Sequence, residues 1–202
     1  MAWDKIADYA TVKRTISALK LHNIEAVIAK DGAEAKAMLL AMVPNGSKVF
    51  VATSTTLEQI GAAKELDESG AYDSGRKKIS AISDAKERAH ERKAQTISDY
   101  TVGSVHAVTE DGCIVIASAS GSQLPGYAFN AEHVIWVVGT QKIVKNIEQA
   151  MERIEEYCVP LENERAMKAY GIGTSLNKIL IIRKEGTPGR IKIIFVTENL
   201  GF

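Results

Sequence analysis

The chain has 202 residues, 46% of them hydrophobic and 25% charged, which supplies a core for one domain and excludes a disordered chain. Lysine plus arginine and aspartate plus glutamate both total 25, so no net field is available to hold a nucleic-acid backbone or an anionic membrane surface. The opening Met1-Ala2-Trp3-Asp4-Lys5-Ile6 lacks a basic run followed by an apolar stretch. No later segment approaches the roughly 18 uninterrupted apolar residues of a membrane span, and a cytoplasmic location is expected. Trp3, Ile6, Ala7, Ala10, Thr15, Ile16 and Leu19 recur at three- and four-residue steps and predict an amphipathic helix over about 2–22, packed as an extension of the domain. A branched apolar strand follows at 24–29, then an alanine-rich helix stopping before Pro44-Asn45-Gly46, then a second strand at 48–52.

A helix beginning near Thr55 continues the alternation, which builds a parallel sheet through right-handed crossovers. Residues 63–83 contain glycine and a turn around 68–73 and read as a crossing or cover segment. Residues 84–99 are highly charged, with only Ala85, Ala89, Ala94 and Ile97 to bury, and read as a solvent-facing helix or a partner-binding one. Dense apolar runs at 105–108, 113–117, 134–138, 179–182 and 191–196 are the expected central strands. Glu110-Asp111-Gly112 can close a hairpin between 105–109 and 113–117, which would make the sheet mixed. Ile147, Met151, Ile154 and Tyr157 mark one helical face, and a further helix is expected after Pro160. The fold class is therefore α/β: a single domain over 1–202 with a largely parallel or mixed central sheet flanked by helices.

Three loops can carry chemistry. Thr53-Ser54-Thr55-Thr56-Leu57-Glu58 passes from strand into helix through four hydroxyl residues, and Thr55 with Glu58 has capping-box spacing. Capping accounts for one hydroxyl; Thr53, Ser54 and Thr55 with free helix amides could hold a phosphate or carboxylate. Gly139-Thr140-Gln141-Lys142 offers close backbone approach and a point charge, without the second glycine that a nucleotide-binding loop requires. Lys142 taken alone also reads as an ordinary surface lysine. Ser120, Gly121, Ser122 and Gln123 follow the 113–117 strand, where open α/β sheets bind ligands. If the three preceding strands run the same way, these loops converge on one crevice. His106 and Glu110 fall on one face of a strand by alternation and are candidates for acid–base work, against the alternative of a partly exposed polar face. Cys113 and Cys158 lie far apart without a Cys-x-x-Cys pair, so neither a zinc site nor an iron–sulfur cluster is expected in this chain.

Gly103-Ser104-Val105-His106-Ala107-Val108-Thr109-Glu110-Asp111-Gly112 resembles the LUD (lactate utilisation, formerly DUF162) family, and five further segments match it in order. These are the segments at 53–61, 118–125 and 137–144, and the pair Leu161-Glu162-Asn163-Glu164-Arg165 and Asn199-Leu200-Gly201-Phe202. The resemblance implies a fold like that of sugar-phosphate isomerases and deaminases, coenzyme A transferases and formyltetrahydrofolate cyclo-ligases. It also implies an accessory or substrate-binding subunit in oxidation of lactate or a related small acid, with no cofactor in this chain and iron–sulfur clusters on an oxidoreductase partner. Two alternatives stand beside it. One is a free-standing enzyme on a sugar phosphate or acyl-coenzyme A, since Thr109-Glu110-Asp111-Gly112 resembles the glutamate turn of coenzyme A transferases. The other is an assembly role, including homo-oligomer formation, without a small ligand.

Overall fold

The computed structural model describes residues 2–202 and, within them, every side chain except that of Lys77; Met1, part of the opening stretch considered above, lies outside them. In chain order the elements are α1 (Tyr9–Leu21), β1 (Glu25–Ala29), α2 (Gly32–Met42), β2 (Lys48–Val51), α3 (Thr55–Gln59), α4 (Ala62–Glu68), β3 (Asp73–Ser74), α5 (Gly75–Ala81), α6 (Ala85–Ala94), β4 (Ser98–Gly103), β5 (Ala107–Thr109), β6 (Ile114–Ser118), β7 (Ala131–Gly139), β8 (Ile143–Val144), α7 (Ile147–Arg153), α8 (Val159–Tyr170), β9 (Lys178–Ile182) and β10 (Ile191–Val196). A wide helical turn at Gly126–Asn130 precedes β7, a tight one at Thr140–Lys142 follows it, and another wide turn at Ile154–Cys158 joins α7 to α8.

The alternation produces a six-stranded sheet in the order β1-β10-β7-β4-β2-β3, with every neighbouring pair parallel. Strands buried on both faces need apolar residues at odd and even positions alike, and β7 and β10 meet that demand. Val134, Trp136 and Val138 point into one core with Ile193 and Phe195. Ile135, Val137, Ile194 and Val196 point into another, beneath α2, α3 and α4.

The apolar runs at 113–117 and 179–182 do not join this sheet. With β5 and β8 they form a second, four-stranded sheet in the order β8-β5-β6-β9, antiparallel across β5–β6 and β6–β9 and parallel across β5–β8. The expected hairpin is present: Gly112, at φ +89°, makes the reversal, and Ala107 and Val108 face Val115 and Ile114. Ile114 and Ile116 pack toward β7 and β10, while Val115 and Ala117 pack outward against Trp3, Ala150 and Ile154. The layers are therefore α2–α4, the parallel sheet, α1 with the second sheet, and α7.

Four local expectations are corrected. The first helix starts at Tyr9, capped by Asp8 accepting from the Thr11 amide at 2.9 Å; Trp3 lies ahead of it, buried in the outer core. Residues 84–99 split: α6 buries nothing, but Ser98 already begins β4, which pairs with β7 in the middle of the sheet. Hydroxyls hid that strand, and Ser98 and Thr101 satisfy one another at 3.1 Å. The helix expected after Pro160 is continuous with the one before it. The wide turn at Ile154–Cys158 leads straight into α8, with Pro160 in the first turn after it. Its extra residue also moves the buried stripe, which is Ala150, Arg153, Ile154 and Cys158. No helix of the described residues is long and apolar enough to cross a membrane.

Candidate functional site

A cavity of about 600 Å³ opens where the two sheets meet α5–α6 and α8. The chain leaving β2 contributes Thr53, Ser54, Thr55 and Thr56, and the chain leaving β6 contributes Ser118, Ser120, Ser122 and Gln123. Ser104, His106 and Lys142 form the wall between them. Eight of the residues singled out from the sequence thus line one cavity: Thr53, Ser54, Thr55, His106, Ser120, Ser122, Gln123 and Lys142. Two of the three contributing loops follow strands of the parallel sheet, whereas the third follows a strand of the second sheet.

Four residues singled out from the sequence do not line it. Glu110 sits at the end of β5 with its carboxylate 3.3 Å from Arg14 of α1, so the strand alternation that paired it with His106 does not bring both to one space. Gly121 makes a turn at φ +82°. At Gly139 a Cβ would stand 2.8 Å from the Glu198 carbonyl oxygen and 2.9 Å from the Leu200 nitrogen; the close approach there is by the protein's own carboxyl-terminal segment. Thr140 is fully buried. The cap of α3 is Ser54, which accepts from the Leu57 amide at 3.3 Å, one residue before the Thr55–Glu58 box.

Lys142 is not a surface lysine but is 2% exposed. The tight turn after β7 throws its side chain inward, where Nζ donates to Thr56 Oγ1 at 3.0 Å and Ser104 Oγ at 3.1 Å. Among the described residues it forms no ion pair. Burial brings its pKa down to about 7, reinforced by the Arg153 guanidinium and opposed by Cys158. Burial acts on His106 in the same sense, to about 3, with Lys142 and Arg153 adding to it. Its Nδ1 accepts from the Ala117 amide at 3.1 Å, which assigns the proton of the neutral ring to Nε2 and makes His106 a donor toward its surroundings.

Several residues here escaped the sequence reading. Arg153 sits in the buried stripe of α7, bonded through Nη1 to the His106 carbonyl oxygen at 2.7 Å and Cys158 Sγ at 2.8 Å. Tyr127 lines the cavity fully buried, its hydroxyl over Gly103, where any Cβ would collide with it. Arg190 holds the turn carrying Tyr127, donating to the carbonyls of Tyr127, Ala128 and Ala131 and pairing with Glu185 at 2.9 Å. Three more arginines reach the cavity: Arg76, paired with Asp67 at 2.8 Å; Arg165, held by Glu162 at 2.7 Å; and Arg92, from charged α6, which forms no ion pair among the described residues. An arginine isolated in a charged run, or set in a helical stripe where apolar residues were expected, carries no pattern that marks it in advance.

The family model for the LUD domain matches residues 12–196. No curated protein matches the chain in sequence. The crystal structure of a DUF162 family protein from Deinococcus radiodurans is similar in fold, with a TM-score of 0.57 at 12% identity over 95% of this chain and 99% of that one.

Proposed function

The chain belongs to the LUD domain family, and from that premise we propose that it binds a small organic anion, a carboxylate or a phosphate, in the cavity beside Lys142. The observation that carries this reading is the Lys142 amine, buried against two neutral hydroxyls with no acidic partner among the described residues. A buried cation without a counter-charge is costly, and an entering anion offsets that cost and restores the ammonium form. Arg92 adds positive potential at the wall, whereas Arg76 and Arg165 are committed to Asp67 and Glu162.

In this reading the protein serves the oxidation of lactate or a related small acid as the subunit that holds the acid, and electron-carrying iron–sulfur clusters reside on a partner. Its two cysteines are both buried, and the described residues contain no group of His, Cys, Asp and Glu that could hold a metal ion. No step is assigned to Glu110, whose carboxylate faces Arg14 outside the cavity.

Titration calorimetry with lactate, pyruvate and inorganic phosphate tests the reading. Because the occupied site holds an ammonium, binding takes up a proton above pH about 7. Affinity is level below that pH and falls by up to about tenfold per unit above it. Lys142→Met loses the binding. No heat from any of the three anions, or unchanged affinity in Lys142→Met, refutes it.

A further inference from the structure

Nitrogen Nζ of Lys142 has three positions besides its own carbon, and the hydroxyls of Thr56 and Ser104 take two of them. Thr56 acts as an acceptor toward the lysine, since it passes its own hydrogen on to the Leu200 carbonyl oxygen or to Ser104, each at 3.3 Å; Ser104 accepts from the ammonium form and can donate to the lone pair of the neutral amine. The third position has no partner among the described residues, and a carbonyl placed there that takes the Ser104 hydrogen leaves the lone pair of the neutral amine free to react. Lys142, Ser104 and His106 all line the cavity. Apart from Lys142 and Thr56, the Ser104 hydroxyl has no acceptor among the described residues, and the Nε2–H of His106 has none. A nucleophile thus stands beside two hydrogen-bond donors around one space.

We infer that Lys142 is a carbonyl-trapping amine that forms an imine with a small 2-oxo acid held in this cavity. The inference rests on the anion-binding reading above and names the class of its ligand, the oxidised counterpart of a 2-hydroxy acid. In the addition, the ammonium formed on binding first releases one proton to solvent; the nitrogen lone pair then forms the N–C bond while the C=O π pair moves onto oxygen, which takes its proton from the nitrogen by way of the Ser104 and His106 donors. The oxygen then leaves as water with the two hydrogens the amine brought, and the nitrogen pair closes the C=N bond. No oxidant or reductant is consumed. The chemistry suits lysine and not arginine, because only an amine loses its proton in a water-poor site.

The low pKa of Lys142, about 7, agrees with this geometry. An exposed lysine at pH 7 is free amine in only about one molecule in two or three thousand, so Lys142 presents on the order of a thousandfold more nucleophile.

The test uses the wild-type protein with pyruvate as the probe and sodium cyanoborohydride to reduce any imine to a stable secondary amine, at pH 7, followed by peptide mass spectrometry. Exposed lysines such as Lys5 and Lys20 are the comparison within the same sample, so no variant has to fold. The expected result is an adduct on Lys142 at least about tenfold above any exposed lysine, suppressed by added lactate, which has no carbonyl to trap. Pyruvate binding by calorimetry with no excess of adduct on Lys142 overturns the inference and leaves the anion-binding reading standing. Neither binding of lactate, pyruvate or phosphate nor an adduct overturns both.

Discussion

Lys142→Met replaces a buried amine by an apolar chain of similar length and should make the protein more stable at neutral pH. The lysine ionises near its ordinary 10.5 in the unfolded chain and near 7 in the folded one. At pH 7 that gap corresponds to about 4 kcal/mol spent on keeping the amine buried. The substitution removes one donor from Thr56 and Ser104, which still bond to each other and to Leu200, a loss of about 1 kcal/mol. The net expectation is a gain of about 3 kcal/mol at pH 7. Between pH 7 and 10.5 the unfolded chain binds more protons than the folded one, so wild-type stability rises with pH by up to about 1.4 kcal/mol per unit and the advantage of methionine shrinks to about 1 kcal/mol at pH 9. Urea unfolding of both proteins at pH 7, 8 and 9, followed by circular dichroism, measures the difference. A variant less stable than wild type at pH 7, or a difference that does not change with pH, refutes the assignment of Lys142 as a desolvated amine.

Two other groups yield sharp expectations. His106 is neutral in the folded protein down to about pH 3 but titrates near 6.5 when unfolded, so its contribution to stability is intact above 6.5 and is lost as pH falls toward 3. His106→Asn, which keeps an acceptor for the Ala117 amide, should flatten the acid limb of stability measured at pH 7, 5 and 4; an unchanged limb would show that the imidazole charges without penalty. Arg190→Met strands the Glu185 carboxylate and removes the donors to three carbonyls, and should cost about 3–5 kcal/mol in urea unfolding. A cost within about 1 kcal/mol would mean that water replaces the guanidinium.

The strands with strong apolar runs were legible because burial on both faces leaves few residue types to choose from, as in β7 and β10. Strand β4 was not, because Ser98 and Thr101 reach burial through each other, a pairing that no single-chain periodicity reveals. The hydroxyl loops were legible as places where backbone amides are free and side chains are small. Their neighbours Arg76, Arg92 and Arg165 were not, since each comes from a helix whose placement depends on distant packing. Glu110 shows the opposite failure: alternation placed it beside His106, but the turn at Gly112 and the packing of α1 carry its carboxylate to Arg14.

By itself the sequence determined the α/β alternation, the family, the hairpin at Gly112, and that Thr53–Thr55, Ser120–Gln123 and Lys142 follow the ends of strands. The tertiary structure decided how those strands divide between two sheets, because register and partner depend on which faces remain to be covered. It also decided the character of Lys142: a lysine in a loop is ordinarily a solvated charge, and only the closure of Thr56, Ser104 and the carboxyl-terminal segment around its amine removes the water that would keep it charged.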